Sequence, residues 1–301
     1  MGDLRAAVLG RSDGWHVNSL RESLTRRGVD VVCLPATRLV SRCAAAGRPS
    51  LESVEKDMGA LDMLFVRSVP GGSLEQVIYR IDALHRLQAM KIRVINSASV
   101  IERTVDKLFT LCLLENAGLP VPATVACERF DKAMEAFEEL GKDVLVKPLF
   151  GSEGRGIIRV TDVDLAYRVF SALEQSGYVF YVQEFLPHAN VDYRVFVVGG
   201  RAIGAMKRTG KSWRTNVAQG ARVMPVEADG AMEAMALEAA KVVDAEYLGI
   251  DILRTVDGRT FLLELNGIPG WKGLLKATGI NAGEALLDHV LGGYSGGGSV
   301  S

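Results

Sequence analysis

Lys147 ends an apolar run, Val144–Lys147, and is followed by Pro148 and by three glycines, Gly151, Gly154 and Gly156, with Ser152 among them. Glycines let a backbone come close to a phosphate chain with its amides turned inward as donors. A lysine at the end of the preceding strand would add positive charge to the same oxygens. The loop lacks the closing Gly-Lys-Ser/Thr of a Walker A sequence, and its spacing differs from a G-x-G-x-x-G dinucleotide fingerprint. Such a loop by itself could be an ordinary hairpin. Lys107, at a helix start over 104–107, would by itself be an ordinary solvated lysine. Its order and separation relative to Lys147 give it weight.

A second set of residues suits a metal ion. Asp251 is flanked by Ile250 and Ile252, and Glu264 by Leu263 and Leu265, with Asn266 two positions on. A lone carboxylate in an apolar setting is costly unless it is paired or bound to a metal. Alternation along a strand turns Glu264 and Asn266 to one face, and Asp251 on a neighbouring strand can share it. Two carboxylates and an amide make an all-oxygen set fit for Mg²⁺ held jointly with phosphates. Polar alternation on a half-exposed sheet is the plainer alternative, and the apolar flanks argue against it.

Three kinds of segment must position these groups. Strands over 5–10, 29–34, 63–67 and 93–96 alternate with helices over 17–27 and 74–90, the pattern of a small parallel α/β domain spanning 1–97. A helix over 104–116 stops at Gly118 with Pro120 behind it. Strands over 124–126, 144–147 and 178–185, a glycine loop and strand over 151–160, and helices over 131–140 and 163–175 complete a second unit, 98–186. From Asp192 the pattern turns β-rich, with strands over 193–198, 201–207, 223–226, 248–254 and 260–265 and a helix over 231–243. The Gly199-Gly200 pair marks a hairpin, so this third unit, 187–292, should hold an antiparallel sheet. Residues 293–301 are Gly/Ser-rich and read as a flexible tail outside the fold.

The 301 residues allow two or three domains, and 48% hydrophobic with 24% charged residues is ordinary for a soluble globular chain. A formal net charge of −1 gives no reason to expect nucleic acid or a membrane as partner. No apolar run approaches the roughly 20 residues that span a bilayer, and the N-terminus lacks a signal-peptide core. Cys33, Cys43, Cys112 and Cys127 show no C-x-x-C pairing and read as reduced, mostly buried thiols of a cytoplasmic protein.

The order of these motifs, Lys107, then Lys147-Pro148 with its glycine loop, then Gln183-Glu184-Phe185, then Asp251, Glu264 and Asn266, resembles the ATP-grasp superfamily. Within it, the run 192–200 resembles the D-x-R…V-V-G segment of RimK-type amino-acid ligases. Lys207-Arg208 followed by Trp213-Arg214-Thr215-Asn216 resembles their paired basic residues and aromatic-Arg-Ser-Asn run, with Thr215 in place of Ser and Lys207 in place of Arg. The resemblance covers about residues 60 to 290 and rests on the ordered set rather than on any one piece.

It implies an ATP-grasp fold, two α+β subdomains clasping ATP, behind a small Rossmann-like parallel α/β domain. It also implies an ATP-dependent carboxylate–amine ligase working through an acyl phosphate. Lys107, Lys147 and Lys207 would hold phosphates under a lid made of Gly151, Ser152, Gly154 and Gly156. Gln183, Glu184, Phe185 and Leu186 would meet adenine and Asp192 the ribose. Asp251, Glu264 and Asn266 would bind two Mg²⁺ ions, with Mn²⁺ as a substitute. Arg208, Arg214 and Asn216 would stabilise the transferred phosphoryl group. Arg67 and Ser68 are candidates for the acceptor contact. The run Pro269-Gly270-Trp271-Lys272 is similar to that of ligases adding α-L-glutamate to tetrahydromethanopterin, so Trp271 and Lys272 would receive a flat ring or an extra carboxylate. The implied partners are a small carboxylate acceptor, L-glutamate as the amine, and other copies of the chain in a dimer or tetramer. An amino-group carrier or a small peptide is the alternative acceptor.

Other functions fit the sequence less well. Gly10-Arg11-Ser12-Asp13-Gly14 fits the G-x-S-x-G elbow of a hydrolase, but it follows the first strand and its acid and histidine partners are poorly placed. A dinucleotide oxidoreductase has only the N-terminal α/β pattern behind it. A catalytically silent nucleotide-binding module would have little reason to keep every phosphate and metal group.

Overall fold

The structure, a computed structural model, describes residues 4–44, 47, 50–151, 154, 156–217 and 220–292. The chain opens with β1 (Arg5–Leu9), α1 (Trp15–Arg26) and β2 (Asp30–Leu34). A small antiparallel meander follows, β3 (Leu39–Ser41), β4 (Leu51–Ser53) and β5 (Lys56–Asp57), then β6 (Met63–Val66), α2 (Leu74–Ala89) and β7 (Arg93–Ile95). The main sheet is parallel in the order β2-β1-β6-β7. The sequence pattern anticipated its strands. It did not show the meander, whose strands are two or three residues long, too short to display a period.

The single helix expected over 104–116 is two: α3 (Ala98–Val105) and α4 (Lys107–Asn116). Asp106 is non-helical and caps α4, accepting from the Phe109 amide at 3.0 Å. Aspartate competes well for the N-cap, and the break places Lys107 at the first position of the new helix.

The second sheet is built from β8 (Thr124–Cys127), α5 (Phe130–Glu139), β9 (Val144–Lys147), β10 (Ile158–Val160), α6 (Val163–Gln175) and β11 (Phe180–Glu184). It is antiparallel in the order β10-β9-β11-β8. Val144 and Val146 point into a separate core with Phe137, Phe170 and Phe180, so alternation turns Leu145 and Lys147 the other way.

The third sheet runs β14-β13-β12-β15-β16, formed by β12 (Val191–Val198), β13 (Arg201–Thr209), β14 (Arg222–Val226), β15 (Tyr247–Arg254) and β16 (Thr260–Asn266). Its β12–β13 turn is the two-glycine hairpin, with φ of 54° at Gly199 and 72° at Gly200. One face packs on α7 (Gly230–Val243). The other shares a core with the first sheet: Phe196, Val198 and Met206 meet Val8, Phe65 and α1, under α8 (Lys272–Thr278) and α9 (Ala282–Gly292). Arg26 at the end of α1 and Arg27 at its C-cap pair with Glu284 and Asp288 of α9 at 2.5 to 2.6 Å. The closing helices had not been anticipated from the sequence.

Asn96 ties the first sheet to the third. It is fully buried, donates to the Tyr247 and Gly267 carbonyls at 2.6 and 2.7 Å, and accepts from the Glu246 and Tyr247 amides at 2.9 and 3.2 Å. The thiols expected to be mostly buried are not: Cys43 and Cys112 are exposed. No helix among the described residues is long and apolar enough to cross a membrane.

Candidate active site

The second and third sheets face each other across a cleft, and Lys107, Lys147, Asp251 and Glu264 converge there. Lys147 at the end of β9 reaches across to the Gln183 side-chain oxygen, and Gln183 donates to Thr124 Oγ1 at 2.8 Å. Lys107 donates to the Gly151 carbonyl at 2.6 Å and stands 3.9 Å from Glu264 Oε1. Two cations and a carboxylate thus meet at the foot of the glycine loop. Burial pushes the Lys147 ammonium down to about 8, against the pull of Glu264 and with Lys107 adding to the fall. Burial likewise raises the Glu264 carboxyl, while Lys107 opposes the rise.

Glycine is required in the loop. Gly154 and Gly156 sit at φ of 70° and 76°, where a side chain is strained. A Cβ on Gly154 would lie 2.2 Å from Asn216 Oδ1. Arg214 donates to the Ile157 carbonyl at 2.9 Å, closing the 210–217 segment onto the loop. Ser152 lies outside the described residues.

Along the cleft, Leu145, Ile157, Leu186, Leu253 and Leu263 line a slot with Phe185 and Trp213 near its mouth. Apolar walls of this kind suit a flat aromatic ring. Gln183, Glu184, Phe185 and Leu186 all border it. The Glu184 carboxylate, however, accepts from the Ala123 amide at 2.8 Å, so it holds its own strand in place. Phe185 lies under the Arg159 guanidinium, 3.5 Å from carbon to ring centroid.

The floor is a lattice of charges. Arg208 bonds both Asp192 oxygens at 2.5 and 2.6 Å and reaches Asp251 at 2.9 Å. Arg194 grips Asp251 bidentately at 2.5 and 2.7 Å. Burial raises the Asp192 carboxyl, with Arg208 opposing it. Asp251 is desolvated too, but Arg194 and Arg208 prevail and hold it below the usual carboxylate range. Asp192 is 2% exposed and also accepts from Thr215 at 2.6 Å. Its oxygens are taken, so the ribose contact expected of it gives way to anchoring Arg208.

Lys207 also departs from expectation. It pairs with Tyr193 and Met224, one residue out of phase with Arg208, so alternation puts it on the α7 face of the sheet, away from the cleft.

Asp251 and Glu264 are register partners on β15 and β16. A bulge after Asp251 turns Leu263 as well as Glu264 into the cleft wall. The donor set fits a hard cation. Among the described residues Glu264 has no hydrogen-bond partner closer than Lys107 at 3.9 Å, and a third of its side chain is open to the cleft. Asn266 Oδ1 accepts from the Ile268 amide at 2.9 Å and keeps a second lone pair. Asp251 is shared by two arginines, and metal ligation there would compete with them.

Beyond Glu264 and Asn266 a second cavity of about 690 Å³ extends to the N-terminal sheet, ending at His16, Arg67 and Ser68. Arg67 donates to Tyr247 Oη and, at 2.9 Å, to the Pro269 carbonyl. Trp271 does not face this space. It is fully buried under Arg67, whose guanidinium carbon lies 4.7 Å from the ring centroid. The ring expected to receive a substrate is core, because the apolar residues of α1 and α9 enclose it. Lys272 is exposed, 5.8 Å from the Trp15 ring.

Among the described residues, Arg194, His16 and His188 had no assigned role from the sequence. Arg194 lies within the quoted D-x-R run. His188, which bridges the Leu186 and Trp213 carbonyls at 2.7 and 3.1 Å, and His16 carry no signal in isolation.

A RimK-like ATP-grasp domain model matches residues 104–290 of the chain. The tetrahydromethanopterin:α-L-glutamate ligase of Methanosarcina acetivorans is 34% identical over 260 residues, 76% of this chain and 80% of that one. The chain belongs to the RimK-like ATP-grasp family. It is an ATP-dependent carbon–nitrogen ligase, as its named relatives are. The corresponding ligase of Methanococcus maripaludis is 28% identical over 96% of this chain and 98% of its own. The α-aminoadipate–LysW ligase LysX of Sulfurisphaera tokodaii is 31% identical over 66% of this chain and 71% of that one. Among solved structures, a RimK domain ATP-grasp protein from Sphaerobacter thermophilus superposes with a TM-score of 0.76 at 20% identity, covering 95% of this chain and 98% of that one. The ATP-grasp ligase PsnB, solved with a minimal precursor, Mg and ADP, gives 0.72 at 23%, covering 95% and 97%. Those identities speak for the fold alone, which is ATP-grasp.

Proposed function

We propose that this ligase adds L-glutamate to a carboxylate-bearing cofactor acceptor, with a tetrahydromethanopterin-like pterin as the first candidate. The observation that carries the chemistry is the convergence of Lys107, Lys147, Asp251 and Glu264, from three separate parts of the chain, on one cleft beside the glycine loop. The acceptor is suggested by the glutamate ligases of two methanogens, to which the chain is similar over most of its length.

ATP lies with its base in the apolar slot and its triphosphate between Lys147 and Lys107, under the loop bearing Gly154 and Gly156. Glu264, Asn266 and Asp251 would hold Mg²⁺, two ions in the full site with Mn²⁺ as a substitute. Bound there, the metal neutralises charge on the phosphate oxygens. An oxygen of the acceptor carboxylate attacks the γ-phosphorus and ADP departs. No side-chain nucleophile is needed, so the protein's task is placement and charge compensation. Asn216 borders the ring slot, the loop and the second cavity alike, which supports a role for it in the transfer step alongside Arg208 and Arg214. The glutamate amine then attacks the acyl carbon from the second cavity, phosphate leaves, and the amine proton passes to solvent or phosphate. Three units divided at 97 and 186, with a tail after 292, a homo-oligomer and a cytoplasmic setting are part of the same proposal.

Mass spectrometry of a reaction containing ATP, Mg²⁺, L-glutamate and a set of pterin and peptide carboxylates tests this. A gain of one glutamyl unit on a pterin is expected. Glutamylation or aminoadipylation of a carrier peptide with no pterin product would replace the acceptor. Nucleotide binding without turnover on any carboxylate would favour a silent module.

A further inference from the structure

The second cavity has an imbalance of charge at its far end. Of the arginines that border it, Arg194 and Arg208 are neutralised by Asp251 and Asp192. Arg67 has no carboxylate partner among the described residues. Its two terminal nitrogens donate to uncharged acceptors, Tyr247 Oη and the Pro269 carbonyl. Its Nε is buried and meets no acceptor among the described residues. A buried donor on an uncompensated cation is costly to leave unmet, and evolution tolerates one most readily where a ligand supplies the missing charge.

His16 stands beside it. Its Nε2 accepts the Trp271 backbone N–H at 3.1 Å, so the neutral ring carries its proton on Nδ1. The ring is wedged edge-to-face between Trp15 and Trp271, with centroids 4.9 and 4.7 Å away. Gly270 leaves room for it, since a Cβ there would lie 3.2 Å from His16 Cε1. Burial, with Arg67 and Lys272 adding to the effect, holds the imidazole down to about 4. Near neutral pH it is therefore an uncharged N–H donor of fixed orientation next to a lone guanidinium.

We propose that Arg67 and His16 form a subsite for a substrate carboxylate that takes no part in bond formation, and that this subsite selects an acidic substrate over its amide. The inference rests on the ligase reading above. The carboxylate belongs either to the side chain of the incoming amino acid or to a second acid group on the acceptor. Charge and hydrogen-bond geometry are the same in both cases.

Calorimetry on the full chain, with AMPPNP and Mg²⁺ present, would titrate L-glutamate and L-glutamine as amine probes and N-acetyl-L-glutamate as a blocked, acceptor-like probe. In the wild type at least one acid should bind about tenfold or more tightly than L-glutamine. Arg67→Gln and His16→Phe should each bring that acid down towards the amide and leave L-glutamine and AMPPNP affinity unchanged. Arg67→Lys should retain part of the preference. Loss of preference for L-glutamate places the carboxylate on the amine, and loss confined to N-acetyl-L-glutamate places it on the acceptor. Equal binding of acid and amide by the wild type, or a preference that survives both variants, would overturn the subsite while nucleotide binding keeps the ligase reading intact. Failure of the wild type to bind AMPPNP would remove both.

Discussion

Replacing Arg208 by Met tests the charge lattice under the cleft. Arg208 is 2% exposed and is the guanidinium that neutralises Asp192, whereas Asp251 would still have Arg194. Among the described residues the variant therefore leaves one buried carboxylate without a counter-charge, with only the Thr215 hydroxyl donating to it at 2.6 Å. Breaking a buried pair in this way costs about 3–5 kcal/mol. With an unfolding entropy of about 2.1 cal/mol/K per residue, a chain of 301 residues loses roughly 1.6 °C per kcal/mol, so Tm should fall by about 5–8 °C near pH 7. The sign with pH is fixed. Asp192 is already pushed up by burial, with Arg208 as the main opposing influence, so removing Arg208 raises its folded pKa further above the unfolded value. The deficit should be largest at neutral pH and shrink as the solution approaches the ordinary aspartate pKa, where both states are protonated. Calorimetric scans between pH 7 and 5, with Asp192→Asn and the double variant completing the cycle, read this directly. The double variant should recover most of the loss. A single variant as stable as wild type, or a deficit that grows on acidification, would refute the view that Arg208 compensates a buried charge.

Glu264→Gln should abolish turnover and leave Tm within a degree or two, since its side chain is a third open to the cleft; ADP release at the wild-type rate would remove it from the metal site. Lys147→Ala should weaken AMPPNP binding by about ten- to a hundredfold, the usual worth of a charged hydrogen bond, with calorimetry as the readout. Trp271→Ala should act on stability rather than on acceptor choice, because the ring is fully buried; a loss of about 3–5 kcal/mol in chemical denaturation is expected.

Parts of the fold and parts of the candidate site were legible in the sequence. Asp251 and Glu264 stand out in the sequence because apolar flanks isolate them, which is costly without a partner or a ligand; for Asp251 the partners are Arg194 and Arg208. The hairpin at Gly199-Gly200 shows because two successive positive φ angles favour glycine. Roles that depend on a neighbour's charge do not show. Asp192 and Arg208 saturate each other only once β12 and β13 pair, and Lys207 is sent to the opposite face by strand phase alone. Trp271 looked like a binding residue from its local sequence. Its burial is decided by α1 and α9, which approach it from opposite ends of the chain. Arg67 was found at a strand end, but its lack of a carboxylate is visible only in three dimensions.

The core that joins Val8 and Phe65 to Phe196, Trp271 and Leu286 means that the first ninety-odd residues and the last hundred make one indivisible body threaded from both termini. A gene fragment beginning at the ligase motifs would be born with an open flank, Phe196 and Met206 facing water, and would aggregate or misfold. The sheet carrying Lys147 has its own interior, so it is the piece that insertion, exchange or loss could alter while leaving the rest of the molecule whole.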